Sequence, residues 1–199
     1  MFDLIGGFER LDWTGEGDTP AFMCLIPTGL RFMEDPSLGG WAGRLVAVEG
    51  SPATFVAGED HNPHAQLDQR LYTVARWAAA FQNDFAARAD WGTTSNYVDA
   101  NHAPLVSASP ADASAAPGEM VRLVASASDP DGDALSTHWW VYAEASTVAG
   151  ATIEAAAFEA AVTVPATAEP GQRVVVIAEV TDDGTPPLTR YAQVVITVA

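Results

Sequence analysis

From about residue 103 onward the chain alternates apolar and polar residues in short runs separated by turn signals. The segments "MVRLVASAS", "ALSTHWWVYAEA", "ATIEAA", "AAVTVPA", "RVVVIAEVTD" and "YAQVVITVA" read as strands, divided by "DPDGD", "TAEPGQ" and "DDGTPPLT". About seven short strands over this length predict an antiparallel β-sandwich of the immunoglobulin-like type. Before residue 100 the periodicity differs. Leu67, Leu71, Val74, Trp77, Phe81 and Phe85 recur at three- and four-residue steps, which predicts one amphipathic helix from Leu67 to Trp91. Upstream, "TPAFMCLIPTGL" is a short apolar element ending near Pro27 and Gly29, and "DPSLGGWAGRLVAVEG" is a turn, a Gly-rich loop and a short strand. This half carries no complete alternation of strands and helices, so it is expected to be part of a larger α/β domain. The polar stretch "GTTSNYVDANHAP" separates the halves, and the expected domains are 1–100 and 101–199.

Strand parity sorts the adjacent tryptophans. Leu135, Thr137, Trp139 and Val141 share one face; Ser136, His138, Trp140, Tyr142 and Glu144 share the other. The first set is the more apolar, so Trp139 is expected in the core. Trp140 then points outward between His138 and Tyr142, a row that could stack on a sugar ring or pack against a neighbouring domain.

Charge narrows the partners. The 199 residues hold 26 acidic and 9 basic side chains, for a net charge of -17, and no lysine. Such a surface repels phosphate backbones, so no nucleic-acid partner is expected. Cys24 is the single cysteine, which excludes an intrachain disulfide. The start "MFDLIGGFERLDW" lacks the basic and apolar regions of a signal peptide, and no apolar run approaches a membrane span.

Three clusters carry candidate chemistry. Asp129, Asp131 and Asp133 alternate around Pro130 and Gly132, and Asp182 and Asp183 follow another strand. In sandwich order these are the B–C and F–G loops, at the same end of the fold. Hard oxygens converging at one point suit Ca2+, and five crowded carboxylates repel unless a cation or water separates them. The same string is also a good turn sequence. Glu16 and Asp18 in "GEGDTP" are candidate ligands or caps for the element that follows. Glu59, Asp60, His61 and His64 in "GEDHNPH" have metal-binding types without a helical His spacing.

The strings "EGDTPAFMCLIPTGL", "GGWAGR", "AFQNDFAARADW", "NHAP", "DPDGDALSTHWW" and "VTDDGTPPLTRY" together resemble secreted bacterial proteins described as cellulose-binding. In that family a nucleoside-hydrolase-like domain is followed by an immunoglobulin-like C-terminal domain. The resemblance implies an α/β fragment followed by an all-β sandwich, and a secreted or periplasmic location. It also implies a carbohydrate partner, glucan or ribosyl-type, and association with an N-terminal part. Nucleoside hydrolases carry an early motif Asp-x-Gly-Gly-Asp-Pro-Asp-Asp whose Ca2+ activates the attacking water, and no such string precedes "MFDLIGGF". The chain therefore reads as a C-terminal portion, with Asp18 a candidate late ligand of that calcium. The expected function is a non-catalytic, carbohydrate-associated module. The alternatives are an N-glycoside hydrolase completed by residues outside the chain, and a structural spacer.

Overall fold

The computed structural model describes residues 22–63 and 68–199. Contacts divide the chain into two compact units, one built around Arg31–Ala78 and the other comprising Pro27–Leu30 with Ala79–Ala199. The break read from composition near residue 100 falls inside the second unit. No described helix is long and apolar enough to cross a membrane.

In the first unit a hairpin of β1 (Leu45–Val48) and β2 (Ser51–Ala57) precedes the short helix α1 (Gln69–Ala75). The Asp68 carboxylate caps α1 by accepting the Arg70 N–H at 2.7 Å. A buried ion cluster joins these elements. Asp60, with no exposed surface, accepts from Arg44 Nε and from Arg76 Nη1, each at 2.8 Å, and Arg44 also donates to the Glu59 carbonyl. Asp60 is thereby committed to two guanidinium groups, which explains its place in "GEDHNPH" without a metal. His64 lies outside the described residues.

The single helix expected from Leu67 to Trp91 is instead two, α1 and α2 (Ala78–Thr93). The last turn of α1 tightens where the Trp77 N–H donates to the Val74 carbonyl. Arg76 is tied to Asp60 and Trp77 is 3% exposed, so tertiary partners on both residues hold the chain at the break. The apolar stripe consequently does not face one core: Trp77 and Phe81 are buried, while Leu71 and Phe85 are 48% and 72% exposed.

The second unit contains the sandwich. Its strands are β3 (Leu105–Ser109), β4 (Asp112–Ala115), β5 (Met120–Ser128), β6 (Leu135–Val141), β7 (Thr152–Ala156), β8 (Glu159–Thr163), β9 (Arg173–Asp182) and β10 (Thr189–Val198). One sheet runs β4-β10-β9-β6 and the other β3-β5-β8-β7. All pairings within them are antiparallel except β4 with β10, which is parallel. Leu123, Trp139, Val162, Val174, Val176, Val194 and Ile196 meet between the sheets.

The two sheets differ in their outer faces. On β5 burial alternates along the strand, as expected for one wet face. In the other sheet the outward Val175, Ile177, Tyr191 and Gln193 are also buried, which accounts for the unbroken apolar run "VVVIA". Two further pieces of this unit reach that sheet. The Thr28 carbonyl accepts from the Tyr191 N–H at 2.8 Å, and Asn83 and Asp84 of α2 bond to the Pro187 carbonyl and to Arg190.

Gly29 is required where Thr28 meets β10. Its φ is +90°, and a Cβ there would collide with the Tyr191 carbonyl. Gly29→Ala is expected to destabilise the unit by roughly 1–3 kcal/mol from backbone strain alone. Urea unfolding followed by circular dichroism checks it; an unchanged midpoint would mean that the segment is free to shift.

Candidate functional site at one end of the sandwich

The β5–β6 and β9–β10 connections lie side by side because β6 pairs with β9, placing Leu135 opposite Asp182. The loops are stitched directly: the Asp183 carboxylate accepts the Ala134 N–H at 2.8 Å, and the Asp183 N–H donates to the Ala134 carbonyl. Within the first loop Asp129 Oδ1 accepts the N–H groups of Asp131 and Asp133, and Gly132 supplies the φ of +85° that the turn needs. Asp129, Asp131 and Asp133 each place a carboxylate oxygen within 4.8 Å of the others. Burial pushes the Asp133 carboxyl above its ordinary range, and the carboxylates of Asp129, Asp182, Asp183 and Asp131 add to the rise.

The segment between α2 and β3 closes the site. Asn101 is buried, and its amide Nδ2 donates to Asp182 Oδ1 and to the Pro186 carbonyl. The backbone N–H of His102 donates to Asp131 Oδ2 at 2.7 Å, and its ring Nδ1 lies 3.2 Å from both Asp131 oxygens. Asp182 Oδ1 also accepts from Gly184 N and Leu188 N, so a buried carboxylate organises its own loop.

Three rings stack beside these carboxylates. The His102 ring lies parallel to Tyr97 with centroids 3.6 Å apart, and to Trp91 at 5.2 Å. Trp91 is fixed by donating Nε1 to the Asn101 carbonyl at 2.7 Å, and the Arg88 guanidinium lies 5.1 Å from its ring centre. Tyr97, at the open end of the stack, is 59% exposed. It borders a cleft of about 480 Å³ also lined by Asp99, Asn101, Asp131 and Asp133.

The outward row on β6 is different from the expectation. Tyr142 is fully buried, its backbone N–H bonded to the Val175 carbonyl, so it offers no ring face to a ligand. Its sheet is covered on that side, where Val175, Ile177, Tyr191 and Gln193 are buried too. Trp140 is half-buried, tilted against Tyr142, and donates Nε1 to Glu179 at 3.3 Å; His138 is exposed. Trp139 is in the core as parity indicated, at 5% exposure. Asp18 and Glu16 lie outside the described residues.

Two family models match in the order of the chain. Residues 3–45 match the "Cellulose-binding Sde182, nucleoside hydrolase-like domain", and residues 120–198 match the "Cellulose-binding protein Sde0182, C-terminal domain". In two successive segments the chain is thus similar to the two domains of cellulose-binding Sde0182 proteins. A solved structure from Saccharophagus degradans, a nucleoside hydrolase-related hypothetical protein associated with carbohydrate metabolism, is 32% identical with a TM-score of 0.74. The match covers 94% of this chain and 49% of that one, so the chain spans about half its length. No curated protein matches the chain. The order of an α/β part followed by an immunoglobulin-like sandwich is thus a property the chain shares with the Sde0182 family.

Sequence reasoning missed Asn101, His102, Tyr97 and Trp91 as members of the site. They lie in or beside "GTTSNYVDANHAP", the polar stretch that separates the two halves of the sequence. The available signal was the concentration of Asn, Asp, His and an aromatic ring just before the first strand, types that a plain linker does not need.

Proposed function

We propose that the chain is a non-catalytic, carbohydrate-associated portion of a secreted Sde0182-type protein, and that the Trp91–His102–Tyr97 stack is its sugar platform. The observation that carries this reading is the exposed Tyr97 ring at the end of a supported stack, next to a carboxylate-lined cleft. A pyranose presents an apolar face of C–H groups to an aromatic ring and hydroxyl donors around its edge. Tyr97 would take the face, and Asp99, Asp131 and Asp133 would accept the hydroxyls. The stack is held from behind by Trp91 and Arg88, so little side-chain entropy is lost on binding. The names of the matching family models agree with a glucan as the ligand class.

Affinity electrophoresis in gels containing hydroxyethylcellulose or mixed-linkage β-glucan tests the platform. Wild-type protein is expected to be retarded, Tyr97→Ala to lose most of the retardation, and Trp140→Ala to migrate like wild type. Equal migration of wild type with and without glucan at every concentration would reject sugar binding; loss through Trp140→Ala alone would move the platform to β6.

A further inference from the structure

Three oxygens buried at the acidic end of the sandwich have no hydrogen-bond donor among the described residues: Asn101 Oδ1, Asp129 Oδ2 and Asp182 Oδ2. Donorless buried acceptors are uncommon, because each forfeits the water it would otherwise bond. Asn101 and Asp182 are only 7% and 4% exposed. The orientation of Asn101 is settled by its partners: Nδ2 faces two acceptors, Asp182 Oδ1 and the Pro186 carbonyl, so that end must be the amide nitrogen. Its oxygen therefore faces the other way, and Asn101 lines the cleft with Asp131 and Asp133.

The division of labour is the same in all three residues. In Asp129 and Asp182 one oxygen holds backbone N–H groups of its own loop while the second accepts from no described residue. In Asn101 the nitrogen is used and the oxygen is not. The nearest charges are further carboxylates, and no Arg or His forms a salt bridge with Asp129, Asp133 or Asp182 among the described residues. His102 approaches Asp131 alone. Donors among the described residues thus do not satisfy this set, and an anion would be repelled.

We propose that Asp129, Asp131 and Asp133, whose carboxylate oxygens already lie within 4.8 Å of one another, form a Ca2+ site that Asn101 Oδ1 and Asp182 Oδ2 complete when the ion draws them in, tying the segment preceding β3 to both loops. All candidate ligands are hard oxygens, several are charged, and they come from three separate loops that can adjust to a large ion. These features suit Ca2+ better than Mg2+, which demands a tight octahedron and gives up water reluctantly. The site excludes Asp183, which is exposed and engaged with Ala134. Because Asn101 is followed by His102 and its carbonyl accepts from Trp91, the ion would fix the base of the ring stack; the site shares Asp131 and Asp133 with the proposed sugar cleft, and a metal titration without sugar reads it separately.

The test uses the whole 199-residue chain, stripped with EDTA and then titrated with CaCl2 or MgCl2 in a calorimeter and in thermal unfolding. One Ca2+ per chain is expected, with a rise in the unfolding midpoint of about 5 °C or more at a hundredfold excess over Kd. Asp129→Asn and Asp182→Asn each keep an Oδ1 for the loop N–H groups and replace only the unpartnered oxygen. Each should bind Ca2+ at least about tenfold more weakly; Asp183→Asn should bind like wild type. If Asp182→Asn does not fold, Asp129→Asn decides alone. No heat and no midpoint shift in wild type, binding undiminished in Asp129→Asn, or Mg2+ binding as tight as Ca2+ would each overturn the proposal.

Discussion

Trp139→Ala is expected to destabilise the sandwich by about 3–5 kcal/mol, the range for deleting a large aromatic side chain from a closed core. Trp139 is 5% exposed and packs between the sheets in the cluster of Leu123, Val162, Val176 and Val194. Its indole Nε1 donates to the Ala157 carbonyl at 3.2 Å, so the substitution removes a hydrogen bond from the β7–β8 turn as well as the ring. The neighbours are β-strand residues fixed by ladders on both sides, so the cavity cannot collapse cheaply. Trp140→Ala, one residue on, should have a smaller effect because that ring is half-buried and its bond to Glu179 is long. Urea denaturation of both variants against wild type measures the contrast. Equal losses would mean that the face assignment on β6 does not control the energetics.

Asp84→Ala should be comparably severe, again about 3–5 kcal/mol, because it takes a buried carboxylate from between two guanidinium groups, one of them buried. Asp84 is 2% exposed and divides its carboxylate between Arg190 Nη2 on β10 and Arg88 Nε on its own helix, each at 2.6 Å. The Arg190 side chain is 10% exposed and Arg88 39% exposed, so Arg190 bears most of the desolvation. Removing both ends should be less damaging than removing one: Asp84→Leu with Arg190→Met is expected to recover most of the loss. A double variant as unstable as the single one would show that α2 packing, rather than the uncompensated charge, sets the effect.

The charge pattern bears on the acidic end too. Five carboxylates lie on two adjacent loops, and Asp133 is pushed toward its protonated form by burial and by its neighbours. An arrangement that opposes its own ionisation needs compensation, and only the residues around it say how much is present. Asp131 receives His102, Asp183 receives Ala134, and the remaining oxygens of Asp129 and Asp182 receive no donor among the described residues.

How much of this was legible beforehand follows from which interactions are local. The alternation of "MVRLVASAS" set β5 to the residue, because a strand's period of two is written directly in side-chain type, and the continuous apolar stretch of "RVVVIAEVTD" between turn signals set β9. The same rule placed Trp139 inside. β3 and β4 were not named as strands, since "LVSAS" and "DASA" are short and carry little apolar contrast; β10 and β5 organise them through pairing. The helix from Leu67 to Trp91 had the right periodicity and the wrong continuity, because the break at Arg76 and Trp77 depends on Asp60, sixteen residues away from Arg76, and on burial of the indole.

At the site the division is similar. Sequence alone determined that two acidic loops would share one end of a sandwich, since strand order in that fold dictates it. Only the tertiary structure decided that Asn101 and His102 join those loops, that Tyr142 is covered, and that Tyr97 is the exposed ring. Those outcomes rest on contacts between residues as far apart as Asn101 and Asp182, and on which sheet face is covered, and no local pattern of residue types records either.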